Sequence, residues 1–110
     1  MKVGELVKNM KADVKVVGDL EKDVTGCYVS DLLSDVLANS KEGELWITHQ
    51  SHPNVVAVAS VRGLSGVVIT GNREIEPETI RKAESEQVNV ITSTGTTFEI
   101  VGAVYNLLNK

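Results

Sequence analysis

The chain reads as an α/β fold of three layers, α/β/α, built on a mostly parallel sheet, and three observations lead there. Three segments align without gaps: "ELWITHQ" from Glu44, "GVVITGN" from Gly66 and "VNVITST" from Val88, each 22 residues after the last. Each carries Ile-Thr at its fourth and fifth places, as Ile47-Thr48, Ile69-Thr70 and Ile91-Thr92. Each short apolar run is followed by a polar loop and then by a segment able to form a helix, the order that parallel strands joined by right-handed crossovers require. Length agrees, because 110 residues with 42% hydrophobic content make one domain with a small core. An internal repeat would give the period of 22, and so would strands, loops and helices of equal length; the second explanation is preferred.

Taken in order, "GELVKNM" places Leu6, Val7 and Met10 at helical spacing, and "VKVVG", Val14 to Gly18, reads as a strand. The polar, turn-rich "GDLEKDVTG" reads as a loop. A short strand from Cys27 to Val29 leads to a helix capped by Ser30 and running through Ala38. Leu32, Leu33, Val36 and Leu37 are expected on its inner side, with Asp31 near the positive end of the dipole. Asp31 and Asp35, one turn apart, read as a solvated face and not as an acid/base pair. The β-branched run "NVVAVASVRG" favours a strand by propensity. It is assigned to a helix opened by Pro53, because a strand directly after "ELWIT" would break the alternation. Pro77 suits the first turn of a helix from Pro77 to Glu86, with Ile80 and Ala83 as a narrow buried stripe. The last helix, Thr96 to Asn109, presents Ile100, Val101, Val104, Tyr105, Leu107 and Leu108, a surface wide enough that part of it is expected to face a partner subunit.

Composition excludes several functions. A net charge of −4, scattered basic residues and 4% aromatic content leave no footprint for nucleic acid. No apolar run approaches the ~20 residues of a membrane span, and "MKVGELVKNMK" lacks the apolar centre of a signal peptide, so a cytoplasmic protein is expected. Cys27 stands alone and reads as a small hydrophobe, without a disulfide or a cysteine zinc site. His49 and His52 lack a third ligand, and neither metal nor cofactor is expected. There is no G-x-x-x-x-G-K-[ST] loop, no G-x-G-x-x-G after a strand and no G-x-S-x-G elbow.

Ligands of parallel sheets bind beyond the carboxyl ends of the strands. The spacing of 22 puts three loops at that level, so Thr48, His49, Gln50, Asn72, Arg73, Ser93 and Thr94 form the candidate rim. Amides at the start of the last helix, with the hydroxyls of Ser93, Thr94 and Thr96, would favour an anion, and Arg73 could add a bidentate contact. Against this, the preferred reading of Thr94 to Thr97 is a helix cap, and that of Arg73 an ion partner of Glu74, Glu76 or Glu78.

The run from Gly66 to Leu108 resembles the second half of DRTGG domains, small α/β modules related to the N-terminal domain of HPr kinase/phosphorylase. The matching residues are Thr70-Gly71, Glu76-Pro77, Ala83-Glu84 and Thr97-Phe98-Glu99. The first half, with "VTGCYVSDLLSDVLANSKEGELWIT" and "HPNVVAVAS", is similar to stand-alone DRTGG proteins. Two features depart from the pattern: Asn72 follows Thr70-Gly71, so the naming pentapeptide is missing, and there is no P-loop. The resemblance implies a fold like the HPr kinase N-terminal domain and a non-catalytic, self-associating regulatory module, expected as a homodimer. Three readings stand open: a sensor of a small phosphorylated metabolite or nucleotide, a protein-interaction subunit, and an HPr serine kinase relative by inherited label.

Overall fold

A computed structural model describes residues 1–110. The elements run α1 (Val3–Lys8), β1 (Asp13–Val16), β2 (Gly26–Val29), α2 (Leu33–Asn39), β3 (Glu44–Thr48), α3 (Asn54–Arg62), β4 (Gly66–Ile69), α4 (Pro77–Glu86), β5 (Val90–Thr92) and α5 (Thr97–Leu108). The sheet has five strands in the order β1-β5-β4-β3-β2. Strands β2 to β5 are parallel neighbours, and β1 joins antiparallel to β5.

Helices cover both faces, so the three layers are real. Against one face lie Val36 of α2, Val55, Val56 and Ala59 of α3 and Ala83 of α4, packed with Trp46, Val67, Ile69 and Val90. Against the other lie Val3, Leu6 and Val7 of α1 and Ile100 and Val104 of α5, packed with Leu45, Ile47, Val68 and Ile91. Burial on both faces is why these strands read as unbroken apolar runs instead of alternating ones.

The spacing of 22 does not survive as a ladder. Ile47 sits beside Val68 and Val68 beside Ile91, steps of 21 and 23. A slip of one residue turns a strand over, so Ile69 faces the α2–α4 layer while Ile47 and Ile91 face α1 and α5. The three Ile-Thr pairs are therefore not equivalent positions, as equal element lengths would produce and a duplication would not.

Segment 54–62 is helical despite its β-branched residues, because it buries Val55, Val56 and Ala59 against the sheet and ends cleanly. Gly63, at φ 64°, lets its own amide reach Ser60 and that of Leu64 reach Ala59. Gln87 repeats the device at φ 56°, with Val88 donating to Ala83. In α4, Thr79 joins Ala83 in full burial and donates its hydroxyl to the Ser51 carbonyl at 2.6 Å. The inner stripe expected from Ile80 and Ala83 is thus widened by a polar residue whose hydrogen bond is satisfied.

The second helix departs furthest from the sequence expectation. It starts at Leu33, because the Ser30 hydroxyl accepts the Leu32 amide in a tight turn and caps nothing. Only Val36 is buried; Leu32 and Leu37 point outward, 63% and 46% exposed. Asp31 precedes the helix, so it does not share a helical face with Asp35, whose carboxylate instead accepts from the Tyr28 hydroxyl at 2.7 Å and the Asn39 amide at 2.9 Å.

At the amino ends of β4 and β5 the side chain of Asn89 is buried and fully used. Its Oδ1 accepts from the Gly18 and Asp19 amides at 2.7 and 2.9 Å, and its Nδ2 donates to the Asp19 and Ser65 carbonyls at 2.7 and 2.9 Å. Gly18 is required there, since a Cβ would stand 2.2 Å from the Gln87 carbonyl oxygen. No helix is long and apolar enough to cross a membrane.

Candidate functional site

The carboxyl ends of β2 to β5 meet the start of the antiparallel β1 at one edge of the sheet, and the polar side chains there form two groups. The first centres on Asp31, just after β2. Its Oδ1 accepts from the Thr48 hydroxyl at 2.8 Å and from the His49 amide at 2.7 Å. Its backbone carbonyl takes the Gln50 side-chain amide at 3.0 Å, and the Gln50 backbone amide reaches Thr48 Oγ1 at 3.1 Å. The His49 amide, then the Thr48 hydroxyl and the charges of His49 and Arg73, hold the Asp31 carboxyl below the usual carboxylate range, against a raising effect of its partial burial. The Thr48 hydroxyl, the His49 backbone amide and the Gln50 side-chain amide thus lock the end of β3 to Asp31 behind β2.

From this group a hydroxyl chain crosses to α5. His49 Nε2 lies 2.9 Å from Thr97 Oγ1, which lies 2.8 Å from Thr70 Oγ1. A hydroxyl beside an imidazole can be a nucleophile and its base, provided a third group orients the ring. Here the Asp31 carboxylate binds the His49 backbone amide and not its ring, so the contact serves as a brace between β3, β4 and α5.

The second group lines a groove of about 440 Å³ between β1, β5 and the β4–α4 loop. Asn72, Arg73, Ser93 and Thr94 border it, and so do two residues that sequence reasoning missed, Asp13 and Lys15 of β1. Ile75, Pro77 and Ile80 supply an apolar wall, and Glu74 a second carboxylate. Asn72 is held at φ 55°, with its amide on the Ser93 carbonyl at 3.0 Å, and Gly71 at φ 83° reaches the Gly95 carbonyl at 3.2 Å, so β4 and β5 present one continuous lip. Ser93 is structural: its hydroxyl donates to the Lys11 carbonyl at 2.8 Å and accepts the Gly95 amide at 3.0 Å.

Arg73 differs from the ion pair expected of it. The chain's two ion pairs are Lys2–Asp23 and Arg81–Glu78, so Glu78 is engaged elsewhere and neither Arg73 nor Lys15 is in direct contact with a carboxylate, although the Arg73 charge is felt at Asp31. The start of α5 also differs from a ready anion cradle. Thr96 is its cap: the Glu99 amide donates to Thr96 Oγ1 at 3.2 Å, while Glu99 Oε1 accepts from the Thr96 amide and hydroxyl at 3.0 and 3.1 Å. Those Thr96 contacts, amide first, together with the charge of Lys11, hold the Glu99 carboxyl low, so the chain's own carboxylate sits where an external anion would. No three His, Cys, Asp or Glu side chains gather as a metal site. Burial and the Glu44 carboxylate push the Cys27 thiol up to about 11, far from a reactive thiolate.

Comparison with known proteins adds a family and a fold. The family model described as the DRTGG domain matches residues 5–107. Among solved structures, the CBS and DRTGG domains of the regulatory region of Clostridium perfringens pyrophosphatase, in complex with the activator diadenosine tetraphosphate, superpose with a TM-score of 0.73 at 16% identity. The match covers 94% of this chain and 45% of that one, so the chain spans less than half the length of its neighbour. At that identity the likeness speaks for the fold. No curated protein matches.

Proposed function

The chain belongs to the DRTGG domain family, and from that premise we propose that it is a non-catalytic regulatory module that senses a small phosphorylated metabolite or nucleotide in the groove beside Arg73. One observation carries the reading: two cations, Arg73 and Lys15, border a groove of about 440 Å³ at the ligand-binding end of the strands without a carboxylate partner of their own. A cation left unpaired at a concave edge is available to phosphate oxygens, and a guanidinium can engage two of them at once. The remaining lining suits a nucleotide better than bare phosphate. Ile75, Pro77 and Ile80 offer apolar surface for a base or sugar, while Asp13 and Glu74 can accept from ribose hydroxyls and discourage a ligand that is all negative charge. The neighbouring pyrophosphatase regulatory region, solved with a nucleotide activator, is a consistent setting.

The same proposal includes self-association as a homodimer and a cytoplasmic location. It excludes kinase chemistry, because nothing at the rim serves as a P-loop and the His49–Thr97 contact lacks an orienting group for the ring. Calorimetric titration with a panel of nucleoside phosphates and sugar phosphates tests it. The expected result is saturable binding by one class, weakened at least tenfold in Arg73→Ala; no heat from any member at millimolar concentration overturns the sensing role. A protein-interaction role is the second reading, favoured by the exposed Val29 and Tyr105 beside a second groove.

A further inference from the structure

The two edges of the sheet are built differently. β1 carries two exposed charges, Asp13 and Lys15, and a register irregularity between Val14 and Val16 that breaks its pairing rhythm. Charges and bulges are the devices by which natural edges avoid adding another strand. β2, the opposite edge, is Gly26-Cys27-Tyr28-Val29, with no charge, no proline and an unbroken register to β3. Beside it, on the α1/α5 face, runs a groove of about 380 Å³ lined chiefly by Cys27, Val29, Val101, Tyr105 and Leu108. Of the large apolar side chains left exposed, Val29, Leu32, Leu37 and Tyr105 lie on β2, on the turn and helix that follow it, and on α5. One edge is guarded and the other is apolar and open.

We propose that a second copy of this chain covers β2, the two β2 strands pairing antiparallel about a two-fold axis into one continuous sheet of two five-stranded halves. The inference rests on the self-association proposed above and adds its surface. Two observations favour a second copy over another occupant. Each chain carries a net charge of −4, so two copies repel over most of their surfaces, yet the residues lining this groove bear no charge. The patch is also self-complementary, because each copy offers both a groove and a projecting ring, Tyr105 at 67% exposure, and a two-fold axis brings each ring to the other's groove. Side chains of one face oppose each other only when the pairing register is even. An axis through Tyr28 satisfies this, setting Cys27 against Val29 of the partner subunit, both on the α5 side.

Sedimentation velocity of the native chain, Val29→Lys and Val61→Lys tests the proposal. Val61 is 74% exposed on α3, so its lysine controls for added charge. The native chain and Val61→Lys are expected as dimers, and Val29→Lys as a monomer with unchanged circular dichroism, its dimer weakened roughly a hundredfold by a charge at the centre of a buried strand pair. The register is read from Val29→Cys: mild oxidation should give a covalent dimer linked between positions 27 and 29. A monomeric native chain overturns both this surface and the self-association it rests on. A Val29→Lys dimer, or crosslinks only between like positions, overturns the surface or register alone. Phosphate-ligand binding in the Arg73 groove, measured by calorimetry on the same variants, stands apart from all of these outcomes.

Discussion

Thr48 donates its hydroxyl to Oδ1 of Asp31 at 2.8 Å, joining the end of β3 to the end of β2 from a position that is itself buried. The bond explains why a carboxylate stands at an exposed turn: it gathers a hydroxyl and a backbone amide that the strand ends would otherwise leave to water, while the Asp31 backbone carbonyl takes the Gln50 side-chain amide.

Thr48→Val keeps the shape and removes the donor, and is expected to cost about 1 kcal/mol in urea unfolding, the usual net contribution of a hydrogen bond. Asp31 adds a pH signature. Its folded carboxyl is held below the unfolded value, so its contribution is complete above about pH 4 and fades as pH falls through the depressed folded value. Asp31→Asn should therefore flatten the acid limb of a stability-versus-pH profile; a limb as steep as that of the native chain would contradict the assignment.

Asn89 supports four hydrogen bonds from a site that is 1% exposed. Asn89→Ala orphans the amides of Gly18 and Asp19 together and is expected to cost roughly 2–4 kcal/mol in chemical denaturation. Gly18→Ala should be comparably harmful for a different reason, because its methyl meets a backbone oxygen that cannot swing aside. A loss under ~0.5 kcal/mol in either variant would show that the loop closes by other means.

At α5, Thr96→Ala removes the cap and should lower stability by about 1 kcal/mol. Glu99→Gln should keep the helix and lose its acid sensitivity. The Glu99 carboxyl is depressed in the fold, so its contribution is complete above the unfolded glutamate value and is lost as pH falls through the depressed folded value. Thermal melts at pH 7 and pH 3 check both, the Gln variant being the less affected by the change.

Arg73→Ala and Lys15→Ala should separate binding from stability. Neither side chain has an ion pair to lose, so each variant is expected within ~0.5 kcal/mol of native in unfolding. Affinity for a phosphorylated ligand should fall roughly tenfold in each and weaken further with added salt, as exposed cation–anion contacts do. A variant that loses stability along with affinity would assign its side chain to the scaffold.

The sequence showed most of the fold because its strands are buried on both faces and its helices end at residues with physical reasons to end there, such as Gly63 and Pro77. Even 54–62 was legible as a helix once parallel connectivity was required of it. What stayed hidden depends on single-residue register or on distant pairing. Ile69 faces the opposite layer from Ile47 because of a one-residue slip that composition cannot reveal. Asp31 left the helix because Ser30 spends its hydroxyl locally. The seven rim residues divide, with Asn72, Arg73, Ser93 and Thr94 at the groove and Thr48, His49 and Gln50 around Asp31, because hydroxyls and amides at strand ends satisfy one another before any ligand. Lys15 escaped notice because only the antiparallel pairing of β1 carries it to β5.

That pairing also orders events in time. β1 is the first strand to be synthesised, yet its hydrogen-bonding partner, Val90–Thr92, is the last, so its place in the sheet waits for nearly the whole chain. Closing so long a loop is slow compared with the short β-α-β steps of β2 to β5, which can assemble from neighbours as they emerge. The parallel half is expected to form early and β1 to dock late, bringing Lys15 across to Arg73 in the same step. A ligand held between them would then favour the finished fold over its four-stranded precursor.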